Sequence, residues 1–222
     1  MPFFINNIYH AVYSFSIFVE NRYKMTTKAE RTTAFIIETV APVFTKHGYV
    51  GTSMSDLTEA TGLTKGALYG NFENKEALAL AAFEFNINKL LAAIDERLNI
   101  EGNSLEKLFS LTKFYRNYDI FTQEMGGCPV LKVGVDAQHN NNQLAAAASE
   151  TIKTIEGKIA VVLENGVNNS ELRLPVTPLQ FAKQFYTMLQ GAVAMSTITN
   201  DRKYLMNTVA YLEVLVKKEI KK

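Results

Sequence analysis

The sequence has little of what a disulfide-bonded, zinc-binding or polybasic protein needs. It holds one cysteine, Cys128, in 222 residues, so neither an intramolecular disulfide nor a cysteine zinc cluster is possible. The formal net charge is +1, which excludes binding to nucleic acid through bulk positive charge. Apolar content is 47%, an ordinary value for a soluble globular chain. A single cysteine suits a reducing compartment, and we expect a cytoplasmic protein.

Catalytic and metal-binding patterns are also missing from the sequence. It has no phosphate-binding loop, no Ser-His-Asp order and no paired-carboxylate motif. His139 has no second His, Cys or carboxylate at ligand spacing. The enzyme hypothesis therefore has no residue to name, and we expect no catalytic site, no metal and no cofactor.

The first 24 residues, MPFFINNIYHAVYSFSIFVENRYK, are apolar and aromatic but are interrupted by Asn, His and Ser. They lack the basic start and small-residue cleavage site of a signal peptide. They are also too short and too broken for a membrane span, so we expect no membrane partner. The favoured interpretation is that translation starts at Met25. A genuine N-terminal helix or interfacial anchor is the alternative.

The stretch from Met54 to Phe72 predicts two short helices joined by a tight turn. Ser53 is placed to cap the first helix, with Asp56 as its third-position partner, and Thr64 is placed to cap the second. Gly62 between them can adopt the positive φ that ends a helix. This layout is a helix-turn-helix, in which the second helix lies in the major groove of DNA.

The surrounding segment, FTKHGYVGTSMSDLTEATGLTKGALYGNFENKEAL, resembles the DNA-binding domain of the TetR family of bacterial transcriptional regulators. The matching residues are Phe44, Gly48-Tyr49, Gly51-Thr52-Ser53, Thr64-Lys65-Gly66, Leu68-Tyr69, Phe72 and Asn74-Lys75-Glu76. The resemblance covers roughly residues 27–80. It implies an all-α fold in which an extension, 1–24, precedes a three-helix helix-turn-helix domain, 25–73. A helical effector-binding and dimerisation domain, 74–222, would follow.

The resemblance implies double-stranded operator DNA as a partner, contacted by the outer side of the second helix. The residues expected to contact DNA are Thr52, Thr64, Lys65, Gly66, Ala67, Tyr69, Gly70, Asn71 and Lys75. Gly66 and Ala67 lack bulk, so the helix backbone can approach the groove. Lys75 begins a helix, where charge and backbone N–H groups together suit a phosphate. Because Gly70 and Asn71 replace the His-Tyr pair frequent in relatives, fewer long side chains reach the base edges.

Helical periodicity continues through the rest of the chain. Pro42 predicts a bend near residues 38–41 of the first helix, because proline removes a backbone hydrogen bond. Asn74, Asn103 with Glu106, and Thr177 with Gln180 are expected helix caps. The predicted helices are 27–46, 75–98, 104–118, 129–137, 142–164, 178–199 and 202–218.

Two functional surfaces are expected in the C-terminal part. An aromatic group could line an effector cavity or form plain core, and the residues assigned to a pocket are Phe114, Tyr118, Phe121, Cys128, Phe185, Met188 and Gln190. For Cys128, a small buried residue is favoured over a redox sensor. The helix 178–199 is apolar nearly all round and needs a cover. In the family the last two helices pair with a second subunit, and the residues assigned to that interface are Val193, Leu205, Val209 and Leu212.

The function that the resemblance implies is a homodimeric repressor released from its operator by an apolar or amphipathic effector. Two alternatives remain open at this stage. One is an effector-independent DNA-binding protein or activator. The other is a helical small-molecule-binding protein or enzyme whose helix-turn-helix is vestigial.

Overall fold

The computed structural model describes residues 27–221, and every named element in that range is a helix. The helices, in chain order, are α1 (Lys28–Gly51), α2 (Met54–Thr61), α3 (Lys65–Asn71), α4 (Lys75–Leu98), α5 (Ser104–Arg116), α6 (Tyr118–Gln123), α7 (Pro129–Ala137), α8 (Asn142–Asn168), α9 (Pro178–Thr199) and α10 (Lys203–Leu215). A π-helical turn, Val216–Ile220, continues α10. The predicted all-α class is confirmed. The predictions for residues 1–24 lie outside the described residues.

The helix starts are set by local capping. Side chains of the predicted caps accept hydrogen bonds from backbone N–H groups in the first turn, which otherwise lack partners. Ser53, Asn103 and Thr177 form reciprocal boxes with their third-position partners, whereas Thr64 and Asn74 accept one bond each. Gly62 adopts φ 67° and ends α2. All of the predicted caps are therefore confirmed.

Some helix boundaries differ from the predictions. The break in α1 falls at Gly48, which has φ 78° and ψ 170°, while 38–41 keep helical dihedrals. The helix continues through Pro42 with Val40 and Ala41 buried, and its dihedrals show no break at the predicted bend. The helix predicted as 104–118 ends at Arg116, and α6 follows as a separate helix that periodicity did not reveal. The helix predicted to end at residue 164 runs to Asn168.

The N-terminal three helices are fastened to the rest of the protein through α1, which packs against α4 and α7. The buried side-chain amide of Asn86, on α4, donates to Thr45 Oγ1 at 3.0 Å and to the Ala41 carbonyl at 3.3 Å. It also lies 3.5 Å from the Met125 carbonyl oxygen. Because a buried polar group without partners is costly, these bonds fix α1, α4 and the loop before α7 in one register.

The central helix of the C-terminal part is α4, which packs against α1, α5 and α8. By length and composition it could cross a membrane, but 56% of its most apolar window is buried inside the protein. Its Asp95 carboxylate accepts from the Lys158 ammonium of α8 at 2.6 Å, with the lysine side chain almost fully buried. A buried ion pair of this kind fixes the register of two helices more than it adds stability.

We expect Gly126→Ala to destabilise the protein by at least about 2 kcal/mol, since Gly126 has φ 83° and an added Cβ would collide with the Pro42 carbonyl oxygen. Gly157→Ala is the matched control, because a Cβ there meets nothing within 4 Å and α8 gains up to about 1 kcal/mol of helix propensity. Urea unfolding at fixed protein concentration measures both. Equal stabilities for the two variants would contradict this account of the Gly126 contact.

Candidate functional site

The two-helix unit formed by α2 and α3 has an inner and an outer side. Leu57 of α2 and Leu68 of α3 are completely buried and hold the pair against the core. Leu63 and Phe72 pack at the margin of that core. Since these residues fix the inner side, the opposite side of α3 faces solvent.

The outer side of α3 is open from its first residue onward. Thr64, Lys65, Gly66 and Gly70 are exposed, and the Tyr69 side chain is 45% exposed. The Lys65 ammonium lies 5.9 Å from the centroid of the Tyr69 ring. A Cβ added at Gly70 would meet no atom within 4 Å. Ala67 is half-buried. This face combines one cation, hydroxyl groups and small residues that permit close approach of a phosphate backbone.

Two of the residues expected to contact DNA point inward instead. The Thr52 side chain is buried, and its hydroxyl donates to the Gly48 carbonyl at 2.6 Å, closing the turn after α1. The Asn71 amide donates to the Ala67 carbonyl and accepts from the Thr33 hydroxyl, both at 2.8 Å. Their polar groups already have partners, so we withdraw Thr52 and Asn71 from the DNA-contacting set.

Lys75, expected at a phosphate, is engaged within the protein. Its ammonium donates to the Tyr49 carbonyl at 2.6 Å and lies 4.3 Å from the centroid of the Tyr49 ring. Partial burial lowers the pKa of Lys75, against the opposing attraction of Asp136 and Asp56. We therefore revise its role from phosphate contact to positioning of the turn after α1.

The other side of the same turn is held by Asp136 from α7. Its carboxylate accepts from the Tyr49 backbone N–H at 2.6 Å and from the Val50 N–H at 3.3 Å. Gly48 makes this approach possible, because a Cβ there would lie 2.8 Å from the carboxylate carbon. The Tyr49 backbone is thus bound on both sides, by the Asp136 carboxylate of α7 and by the Lys75 ammonium of α4. Spacing within the sequence gave no signal of this contact across 87 residues.

The residues assigned to a pocket fall partly into one aromatic cluster. The Phe114 ring stands edge-on to Tyr118 at 5.7 Å and to Phe121 at 4.9 Å between centroids. Phe185 is fully buried but pairs with Phe181 at 6.5 Å, and Met188 is half-buried at the edge of the core. In this structure the side chains of the cluster pack ring against ring.

Cys128 and Gln190, the remaining residues assigned to the pocket, are joined by polar contacts beside that cluster. The Tyr118 hydroxyl donates to Cys128 Sγ at 3.2 Å, and the thiol donates to Gln190 Oε1 at 3.7 Å. Cys128 Sγ also accepts from the Leu131 N–H and so caps α7. Burial raises the pKa of the Cys128 thiol, which keeps it protonated and weakly nucleophilic. Two more tyrosines complete this polar group. Tyr115 was named from the sequence only within the aromatic group that lines a cavity or forms plain core, and sequence reasoning missed Tyr186.

All four residues assigned to the dimer interface are buried within the protomer: Val193, Leu205, Val209 and Leu212. They form the inner seam of α9 and α10, so the assignment is wrong for these residues. The outer sides of the two helices expose Met195, Ile198, Tyr204, Tyr211 and Val214. Ile198 is 75% exposed and Tyr211 57% exposed, which makes this outer face the apolar surface that a partner could cover.

Across residues 27–221 no group of three His, Cys, Asp or Glu side chains has the geometry to hold a metal ion. His139, the metal-ligand candidate of the sequence, follows α7 in an exposed turn.

Comparison with known proteins places both halves of the chain. A family model described as bacterial regulatory proteins of the tetR family matches residues 36–82, and a tetracyclin repressor-like C-terminal domain matches residues 104–212. A TetR-family regulator from Cytophaga hutchinsonii is 34% identical, with a TM-score of 0.80 over 86% of this chain and 96% of its own. A TetR regulator from Chloroflexus aurantiacus is 26% identical, with a TM-score of 0.82 over 87% and 98%. The transcriptional repressor NemR of Escherichia coli is 24% identical over 77% of this chain and 86% of its own.

Proposed function

The chain belongs to the TetR family of bacterial transcriptional regulators, and from that premise we propose that it is a homodimeric repressor released from operator DNA by a small-molecule effector. The observation that carries DNA binding is the open outer face of α3, with Thr64, Lys65 and Tyr69 exposed beside small residues. The protein would act in the bacterial cytoplasm, where the operator is accessible.

Affinity for the operator must come from placed groups. The segment 26–76 has five Lys and Arg residues against six Asp and Glu residues, so its net charge of −1 gives no bulk attraction to phosphate. Lys65 and the hydroxyls of Thr64 and Tyr69 lie at the start and middle of α3, where a recognition helix meets base edges and backbone. Two such helices in one dimer would bind two half-sites and multiply the modest affinity of each.

Release by an effector requires a physical connection between the C-terminal domain and α3. Helix α7 supplies one, because Cys128 caps its first turn within the polar group and Asp136 in its last turn holds the Tyr49 peptide. An effector that binds better to a shifted α7 would move the turn from which α2 departs. The resulting change in operator affinity can be no larger than the difference in effector affinity between the two arrangements.

The partner in the dimer would cover the outer face of α9 and α10. Thr187, Gly191, Met195 and Ile198 follow one another along α9 at helical spacing, and all are exposed. A Cβ at Gly191 would meet nothing within 4 Å, so the backbone of a partner helix can approach closely there. Tyr204, Tyr211 and Val214 extend this surface along α10.

Selection of bound DNA from a random duplex pool tests the proposal. We expect a two-fold symmetric site bound by two protomers, with loss of binding when an extract of small metabolites is added. A protein that binds a site but never responds to the extract would be an effector-independent regulator. Failure to enrich any sequence would contradict the proposed function altogether.

We expect Lys65→Ala to weaken binding to the selected operator by about tenfold, consistent with about 1–3 kcal/mol for one specific contact. Lys65 is exposed, so the unfolding midpoint should not change. Fluorescence anisotropy across a salt series measures the effect, and Lys113→Ala, another exposed lysine on α5, is the control. A salt slope reduced by about one unit would identify a phosphate contact. Equal affinities for the two variants would place the DNA surface elsewhere.

We expect Asp136→Ala to disconnect α7 from the helix-turn-helix, because the Tyr49 and Val50 N–H groups lose their acceptor. In the native protein we expect operator binding to alter the hydrogen exchange of the α7 amides, and in Asp136→Ala we expect this response to be lost. Asp136→Asn keeps an acceptor oxygen and serves as the control. An unchanged exchange response in Asp136→Ala would show that coupling runs by another route.

We expect Ile198→Arg to dissociate the dimer while leaving the protomer folded, since the side chain is exposed in the single chain but would bury a charge in an interface. Sedimentation velocity measures the loss, and operator affinity should fall with it. Val135→Arg, an equally exposed apolar position on α7, is the control. A persistent Ile198→Arg dimer would exclude this face.

A further inference from the structure

Five side chains form a buried polar group in the centre of the C-terminal domain, which we name the tyrosine cluster: Tyr115, Tyr118, Cys128, Tyr186 and Gln190. The three tyrosines are among the largest fully buried side chains of the described residues. The cluster draws on α5, α6, α9 and the cap of α7. So many polar groups in a helical core need an explanation, because each costs free energy unless it is hydrogen-bonded.

Three hydrogen bonds join four of the five members of the tyrosine cluster. Cys128 Sγ accepts from Tyr118, Gln190 Oε1 accepts from Cys128, and the Tyr186 hydroxyl oxygen accepts from the Gln190 amide at 2.8 Å. The Tyr115 hydroxyl is buried and has no hydrogen-bond partner in the described structure. Burial raises the pKa of Tyr115, and the neighbouring Tyr186 and Gln190 side chains offset that rise only in part. The Tyr115 hydroxyl is therefore the group of this cluster that lacks a hydrogen bond.

The tyrosine cluster is also electrically neutral. Burial raises the pKa values of Tyr115, Tyr118, Tyr186 and Cys128, so all four stay protonated at neutral pH. The cation that acts on Cys128 is Lys132, whose ammonium donates to the Gly126 carbonyl at 3.1 Å. None of the five side chains offers a positive charge to an anionic ligand or a negative charge to a cationic one. A charged ligand of either sign would therefore lose its hydration without gaining an opposite charge in this cluster.

Aromatic rings enclose the tyrosine cluster on one side. The Tyr115 and Tyr118 rings are stacked at 4.7 Å between centroids, and Phe114 stands edge-on to Tyr115 at 5.4 Å. Phe121 and Gln190 are only half-buried, so the cluster comes near the surface at these two residues. A flat apolar body can replace ring–ring contacts here with contacts of the same kind.

We propose that the tyrosine cluster recognises an uncharged, apolar or aromatic effector through one carbonyl-type oxygen that accepts from Tyr115. A carbonyl oxygen offers two lone pairs to the Tyr115 hydroxyl and brings no donor, whereas an alcohol would bring a further buried donor that itself needs an acceptor. Because the rings fill the site in this structure, binding requires the cluster to open, and opening at Cys128 reaches the first turn of α7. The inference rests on the proposed function, since it names the ligand class of its effector site.

Three small molecules of similar size test the proposal: acetophenone, ethylbenzene and benzoate. Titration calorimetry on the full-length protein should give acetophenone an affinity at least about tenfold above that of either other probe, because they lack the neutral acceptor. Tyr115→Phe should remove this preference and leave ethylbenzene binding unchanged. It should also raise the unfolding midpoint, because an unpaired hydroxyl leaves the core. Ser149→Ala, which removes an exposed hydroxyl on α8, is the control and should leave the preference for acetophenone unchanged.

Equal affinities for the three probes, tighter binding of benzoate, or no binding of any probe would overturn the inference. The inference would also be overturned if a crystal structure showed an ordered water bound to the Tyr115 hydroxyl and titration showed no preference for acetophenone. Operator binding by the same preparations separates this inference from the proposed function. An intact operator complex with no carbonyl preference refutes the ligand class alone. A carbonyl preference in a protein that binds no operator refutes the regulator alone.

Discussion

The hydrogen bonds of Asp136 and Lys75 to the Tyr49 backbone are the constraint on which the arrangement of the helix-turn-helix relative to the rest of the protein depends. Asp136 of α7 binds its N–H, Lys75 of α4 binds its C=O, and the positive φ of Gly48 leaves room for the carboxylate. Each hydrogen bond to a charged group contributes about 1.5–3 kcal/mol, more than an exposed ion pair of the same residues would. Because α2 begins at Met54, four residues after Val50, the direction of the helix-turn-helix follows from this turn.

Local chemistry made much of the fold predictable. Ser53, Asn103 and Thr177 each cap a helix whose third residue returns the bond, and such a box is legible in four consecutive letters. The exposed face of α3 could also be inferred, since Leu57 and Leu68 mark the opposite side. The helix pair could therefore be oriented before any tertiary contact was known.

Contacts between distant parts of the chain limited how much of the candidate site could be predicted from the sequence. Thr52 is turned inward by a local bond to Gly48, four residues earlier. Nothing near Asn71 or Lys75 in the sequence shows that their polar groups are bound to Thr33 and Tyr49. The prediction of the dimer-interface residues failed because helix α9 is apolar on several sides. A helix that is apolar on every side does not reveal which stripe faces its own protomer, and Val193 fell on the inner stripe while Ile198 fell on the outer one. Hydrophobic periodicity identifies the buried side of an amphipathic helix, but it cannot identify that side where both faces are apolar.

Helix α7 has nine residues, and its two ends are held by unequal contacts. A carboxylate with two backbone donors holds the last turn, whereas a protonated sulfur at 3.5 Å from the Leu131 nitrogen caps the first. A weak cap is worth about 1 kcal/mol, and coupling between distant sites typically amounts to about 1–3 kcal/mol. Rearrangement of the cap at Cys128 thus lies within the range that couples two sites, while the Asp136 contact is strong enough to stay formed. The contact between Asp136 and Tyr49 is rigid, whereas the cap at Cys128 can rearrange. A displacement that starts at Cys128 would therefore be transmitted along α7 to Tyr49.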